Sequence, residues 1–211
     1  MVRLFSSLIA ISTLIVTNTA DASPRQRAGG YATAGLGKQN VFAAGQPGRD
    51  DGYGQAWKQG EFSYALGLGY RFGANLAVET TFQDQLDATR VPASPNAPAT
   101  ALGGELSASL LAVSTVATLP IGDRLELFGR LGTGKLDSRY TPDAAIGLGA
   151  IRSHDNARIV GLGGNVYLGR DSFVRMEWNR VRTRGASATA QAMGYERLRT
   201  TQVTLMVGHH F

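Results

Sequence analysis

The sequence predicts an all-β chain: eight antiparallel strands in up-and-down order, closed into a transmembrane β-barrel. Three observations predict it. Large apolar residues alternate with small or polar ones through eight segments, the period-two pattern of strands with one face in an apolar environment. The connections between segments run long, short, long, short, long, short, long, as in barrels with long loops at one rim and tight turns at the other. The last segment, residues 199–211, carries Val203, Leu205, Val207 and Phe211 on one face. Gln202, Thr204, Gly208 and His210 lie on the other, where Met206 is the one large apolar residue. An amphipathic strand that stops on an aromatic suits a closing strand, because pairing the last strand with the first leaves no open edge in lipid.

Composition narrows the class. The 211 residues suffice for one domain and include no cysteine, so disulfide frameworks and thiolate chemistry are excluded. No run of roughly 18 apolar residues exists, so no helical span is expected. Residues 1–22 read as a secretory signal peptide: Arg3 precedes a mostly apolar stretch at 4–16, and Ala20-Asp21-Ala22 supplies a small-x-small cleavage site. The mature barrel is then residues 23–211, and export without cysteine suits a Gram-negative envelope. The net charge of +5 serves solubility or an anionic partner.

Taken in order, residues 29–37 form a short first strand, with Tyr31, Thr33 and Gly35 opposite Ala32, Ala34 and Leu36. A polar, glycine-rich loop covers 38–59. The second strand, 61–72, sets Phe62, Tyr64, Leu66, Leu68, Tyr70 and Phe72 against Ser63, Ala65, Gly67, Gly69 and Arg71. Gly73-Ala74-Asn75 turns the chain into a third strand, with Leu76, Val78, Thr80 and Phe82 opposite Ala77, Glu79, Thr81 and Gln83. Pro92, Pro95 and Pro98 make residues 84–104 a loop. The fourth strand, 105–119, and the fifth, from 125, flank the turn Pro120-Ile121-Gly122-Asp123. The fifth places Leu125, Leu127 and Leu131 opposite Glu126, Phe128 and Arg130. A third loop is expected over 136–156. The sixth strand, 158–168, and the seventh, 172–184, flank Gly169-Arg170-Asp171, and a fourth loop at 185–198 precedes the closing strand.

The apolar faces are rich in Leu, Val and aromatics, and the opposite faces in Gly, Ala, Ser and Thr with a few charges. A soluble lipocalin-like cup would reverse this, with charge outside and apolar residues within. The composition therefore fits lipid outside and a narrow packed lumen. The blocks Leu66-Gly67-Leu68-Gly69-Tyr70-Arg71-Phe72, Asn75-Leu76-Ala77-Val78-Glu79 and Leu119-Pro120-Ile121-Gly122-Asp123-Arg124-Leu125 resemble the OmpA-type outer-membrane β-barrel over nearly the whole mature stretch. The resemblance implies an outer-membrane location and assembly by the barrel-assembly machinery, with Phe211 as the aromatic end of its signal. His209 stands where another large apolar residue is common. The periplasmic peptidoglycan-binding domain of the larger relatives has no counterpart in this sequence, so a cell-wall tether is not implied.

Several motifs compete for a functional reading. Gly129-Arg130-Leu131-Gly132-Thr133-Gly134-Lys135 nearly spells a phosphate-binding loop, but Leu136 replaces the magnesium-holding Ser or Thr and the stretch lies in a strand. A Ser-His-acid set of the kind some small barrels use to deacylate lipid A has one candidate, Ser153-His154-Asp155, whose neighbouring side chains diverge on extended chain. His209-His210 diverge likewise, so no metal site is expected. An eight-stranded barrel has room inside only for side chains, which disfavours a wide pore. The expected role is envelope integrity or surface interaction without catalysis, with a lipid-A-modifying enzyme or a narrow ion channel as the alternative. No cofactor and no nucleic acid are expected. The expected partners are outer-membrane lipid, lipopolysaccharide and a host or surface ligand at the loops, and the expected state is a monomer.

Parity assigns two sets of charges. Arg71, Glu79, Glu126, Arg130, Arg175 and Glu177 face the lumen, three positive and three negative. They are expected to form a salt-bridged plug, with Arg71, Glu79, Glu126 and Arg175 lower and Arg130–Glu177 as the upper pair. Arg180, Arg182, Arg184, Arg197 and Arg199 continue the lipid-facing rows above Trp178 and Val203, where their forked guanidinium groups suit lipid A phosphates. The four long loops, 38–59, 85–104, 137–156 and 185–198, are expected to be mobile and to face outside, with both mature termini in the periplasm.

Overall fold

A computed structural model describes residues 28–44, 60–91, 103–143 and 149–211. The expected signal peptide, its cleavage site and most of the first two long loops lie outside the described residues. Among the latter the strands are β1 (Gly29–Ala44), β2 (Gly60–Arg71), β3 (Leu76–Gln85), β4 (Thr89–Val91), β5 (Gly104–Ile121), β6 (Leu125–Pro142), β7 (Ile151–Tyr167), β8 (Ser172–Thr183) and β9 (Arg197–His210), with one short helix, α1 (Ala188–Ala192). Every pairing is antiparallel. β1 pairs with both β2 and β9, and β3 with both β2 and β5, so the eight long strands close a ring. The three-residue β4 adds to β5 above the end of β3. Following paired residues once round the ring returns to β1 ten residues from the start. That stagger tilts the strands and leaves a bore that side chains can fill. At the Ile121–Leu125 turn, Gly122 takes φ +57°, a conformation in which a side chain is strained.

The outer face carries the apolar residues. Leu66, Leu68, Leu119, Leu131, Leu162, Met176, Leu205 and Val207 are all exposed, as lipid contact requires. The lumen is filled in three tiers. At the turn-bearing end Tyr31, Phe128, Tyr167 and Phe173 form an aromatic floor, with Tyr167 and Phe173 centroids 5.6 Å apart. The six lumen charges start at the level of this floor, with Arg71 and Glu126 at the turn ends of β2 and β6, and continue upward into the middle of the bore. Above them Leu106, Leu110, Leu136, Tyr140, Ile159, Val181 and Leu198 form an apolar cap.

Several expectations are corrected at the loop-bearing end. The first strand does not stop at residue 37 but runs to Ala44, through the start of the expected first loop, and β4 lies within the expected second loop. The third long loop is largely strand, because β6 runs to Pro142 and β7 begins at Ile151. The reason is an inversion of the pattern. Low on β6 the apolar residues Leu125, Leu127 and Leu131 point out; higher up Leu136 and Tyr140 point in, while Lys135, Asp137 and Arg139 point out. A wall that has left the lipid buries its apolar side within. The fourth loop is packed, not free. It folds into α1 and sets Ala190, Met193 and Tyr195 into the apolar cap. Thr189 Oγ1 lies 2.7 Å from Ser138 Oγ on β6 and 2.9 Å from Ser187 Oγ, which ties the helix to the wall.

Candidate functional site

In the lumen, inward parity on β2, β3, β6 and β8 brings Arg71, Glu79, Glu126, Arg130, Arg175 and Glu177 into one network, and each is at most 3% exposed. Arg71 donates two hydrogen bonds to the Glu126 carboxylate, at 2.8 and 2.7 Å, a bidentate fork across the bore. Asn165 on β7 links the pairs: its Nδ2 donates to Glu126 at 2.7 Å and its Oδ1 accepts from Arg175 Nε at 2.9 Å. Glu79 is the hub. It accepts from Arg175 at 2.7 Å, from the Tyr31 hydroxyl at 2.8 Å, from Thr81 at 3.1 Å and from Arg130. Glu177 lies 3.0 Å from Arg130 and 3.9 Å from Arg175, in ionic contact without hydrogen-bond geometry. The expected Arg130–Glu177 contact is present, but the expected lower four are split. Glu79 and Arg175 join Arg130 and Glu177 in one cluster, and Arg71–Glu126 is the separate pair.

Parity also misses what supports the charges. The Arg175 guanidinium carbon sits 4.8 Å from the Phe128 ring centroid, 5.4 Å from Phe173 and 5.6 Å from Tyr31, so the aromatic floor faces a cation. Those rings were readable as inward residues; their convergence on one arginine was not, because they come from three different strands.

On the outer wall, β7, β8 and β9 each place an arginine at one rung. Arg158 pairs with Arg182, and Arg182 with Arg199. Two outward rungs below, Leu162, Trp178 and Val203 pair across the same strands, where the apolar girdle ends. Arg180, on the rung between, packs its guanidinium 5.3 Å from the Trp178 ring. Arg184 and Arg197 lie higher and are exposed. Parity along β7 alone does not reveal Arg158 as a member, because the rung is set by the register between β7, β8 and β9. Like charges directly opposite on a sheet repel, so three arginines in one rung make a site that an anion stabilises.

The remaining motifs resolve by parity. Gly132 and Gly134 stand inside β6, where an added Cβ would run into Ser114 and Ala112 of β5, so a close-packed wall accounts for them. Ser153 faces in and bonds Asp155 at 2.9 Å, while His154 faces out, 2.5 Å from Asp137. The outward serine nearest that pair is Ser109, and Asp137 lies between it and His154 in the register. A general base must touch its nucleophile, so this row is not a hydrolytic triad. His209 faces out and His210 faces in. Phe211 closes the ring with its N–H on the Gly30 carbonyl at 3.0 Å.

The architecture is that of a known group. The chain belongs to the outer membrane protein β-barrel domain family. The family profile matches residues 6–211. No curated protein sequence matches the chain. Among solved structures, Neisserial surface protein A superposes with a TM-score of 0.60 at 11% identity, covering 86% of this chain and 97% of that one. Ail, the attachment invasion locus protein of Yersinia pestis, solved with the heparin analogue sucrose octasulfate, gives 0.55 at 13% identity, covering 88% and 99%. The N-terminal barrel of Pseudomonas aeruginosa OprF gives 0.55 at 11%, covering 88% and 100%. These likenesses carry the fold, that of an OmpA-type barrel, and family membership indicates the outer membrane.

Proposed function

We propose that this chain is a self-plugged, non-catalytic barrel of the Gram-negative outer membrane that sits in lipopolysaccharide and serves envelope integrity or surface interaction. The observation that carries the reading is the rung Arg158–Arg182–Arg199, flanked by Arg180, Arg184 and Arg197, at the upper edge of the apolar girdle. An arginine facing hydrocarbon costs about 2–4 kcal/mol at the midplane and little at the interface. At that height the forked guanidinium groups meet lipid A phosphates, and the mutual repulsion of the rung becomes attraction to a shared anion. In this reading residues 1–22 are the cleaved export signal, Phe211 ends the signal read by the assembly machinery, and the protein is a monomer. The loop-bearing rim faces outside. The filled lumen supports a structural role over a channel, since aromatic, charged and apolar tiers all lie across the bore. That Ail, a barrel of the same fold, was solved with a sulfated saccharide is compatible with a polyanion-facing rim.

The test replaces Arg158, Arg182 and Arg199 with Gln and measures lipopolysaccharide retained through detergent purification. Retention should fall several-fold and become less sensitive to salt. Unchanged retention with a folded barrel would leave only arginines reaching into the headgroup layer, and the clamp would be wrong.

A further inference from the structure

Above the girdle, on the outer wall of β3, β5, β6 and β7, there is a pit of about 160 Å³. Its floor is made by Ser107 and Ser109 of β5, which are small where the next residue down that face is the exposed Leu111. Two arginines stand on one side. Arg139 pairs with Arg152 across β6 and β7, and neither has an ion-pair partner among the described residues. Acceptors stand on the other: Asp84 pairs with Ser109, and Ser109 with Asp137. His154, bound to Asp137 at 2.5 Å, completes the rim.

We propose that this pit binds one sugar ring carrying an anionic group. The volume is several water molecules' worth, the bulk of one hexose. Two arginines directly opposite on adjacent strands repel one another, and a carboxylate or phosphate between them converts that repulsion into charge-assisted hydrogen bonds. The carboxylates of Asp84 and Asp137 accept from sugar hydroxyls, and the two serines both donate and accept. A bare anion would leave the acidic side of the pit unused and facing a like charge; a neutral sugar would leave the arginines unpaired. An acidic sugar satisfies both sides. The pit stands above the hydrocarbon level, so its ligand comes from the sugars of the surrounding glycolipid or from a glycan in the medium. It shares no residue with the Arg158–Arg182–Arg199 rung and does not depend on the function assigned to that rung.

The test uses the purified full chain in phospholipid nanodiscs, titrated with glucuronate, glucose and inorganic phosphate. Glucuronate should bind at least tenfold more tightly than either of the others. Arg139→Gln with Arg152→Gln should weaken it at least tenfold, and so should Ser109→Leu, which fills the pit without changing charge. The variant Arg158→Gln, Arg182→Gln, Arg199→Gln should bind glucuronate like the parent. All these positions face outward, and retained heat-modifiable migration on gels checks the fold. Nanodiscs containing lipopolysaccharide distinguish the source: competition against glucuronate assigns the pit to the glycolipid, and unaltered binding assigns it to a free glycan. Absence of glucuronate binding at millimolar concentration, phosphate binding equal to glucuronate, or an unaffected Ser109→Leu variant would each overturn the proposal.

Discussion

Glu79 should be the most sensitive charge in the lumen. It is 1% exposed and accepts from two guanidinium groups, one phenol and one hydroxyl. Glu79→Gln keeps the shape but removes the charge, so Arg130 and Arg175 are left to share Glu177. That residue is 3.9 Å from Arg175 and makes no hydrogen bond. Breaking one side of a buried ion pair costs about 3–5 kcal/mol. A hydrogen bond to a charged group is worth about 1.5–3 kcal/mol, and Glu79 loses the charge from four at once. The expected loss for Glu79→Gln is therefore about 4 kcal/mol, against about 2 kcal/mol for Glu177→Gln, whose carboxylate contributes ionic contact alone. Urea unfolding from lipid vesicles, followed by the fluorescence of Trp178 in a Trp57→Phe background, reads both. The double change Glu79→Gln with Arg130→Met should lose less than the sum of the singles by about 1 kcal/mol or more, since Arg130 no longer needs its partner. Additive losses, or a larger loss at Glu177 than at Glu79, would refute Glu79 as the hub.

Three further outcomes are expected. Phe173→Ala removes the ring that contacts Tyr31, Tyr167 and Arg175 in the floor and should cost about 3–5 kcal/mol in the same unfolding assay. Met193→Ala, in the apolar cap, should cost about 2–4 kcal/mol and make the α1 segment cleavable by added protease in the folded barrel, where the parent resists. An epitope inserted near Asp51 or Pro95 should be detected on intact cells, and detection only after permeabilisation would reverse the assigned orientation.

The lower barrel was legible because one rule governs it. From Leu125 to Leu131 on β6, Phe128 of the floor apart, or Phe62 to Arg71 on β2, apolar means lipid and small or charged means lumen, and each side chain then lies where parity puts it. The rule fails above the girdle. At Lys135 and Leu136 the alternation continues but its sense reverses, so the outer half of β6 and β7 read as loop. The α1 segment failed for another reason. Ser187, Thr189 and Met193 have no period of their own, and only the cap of β6, β7 and β9 gives them a place to be buried. Pairings across the bore, such as Arg71 with Glu126, were legible as a set of balancing charges but not as partners, because partnership depends on the ten-residue stagger.

That stagger also explains why the lumen carries charge at all. A slip of one residue between neighbouring strands is excluded by the lipid face, since it would turn every outward leucine inward. A slip of two is not, because each side chain keeps its face and the outer surface stays apolar. Along a strand, however, two residues are about 6.8 Å. Such a slip carries Arg71 out of reach of Glu126, now 2.7 Å away, and Arg175 out of reach of Glu79. Each then stands buried and unpaired, at about 3–5 kcal/mol per broken pair. The pairs join β2 to β6 and β3 to β8, strands that share no backbone hydrogen bond. They therefore test the accumulated register of the whole ring, which no pair of neighbouring strands can do. The apolar outside fixes which way each residue points, and the charged inside fixes which residues meet.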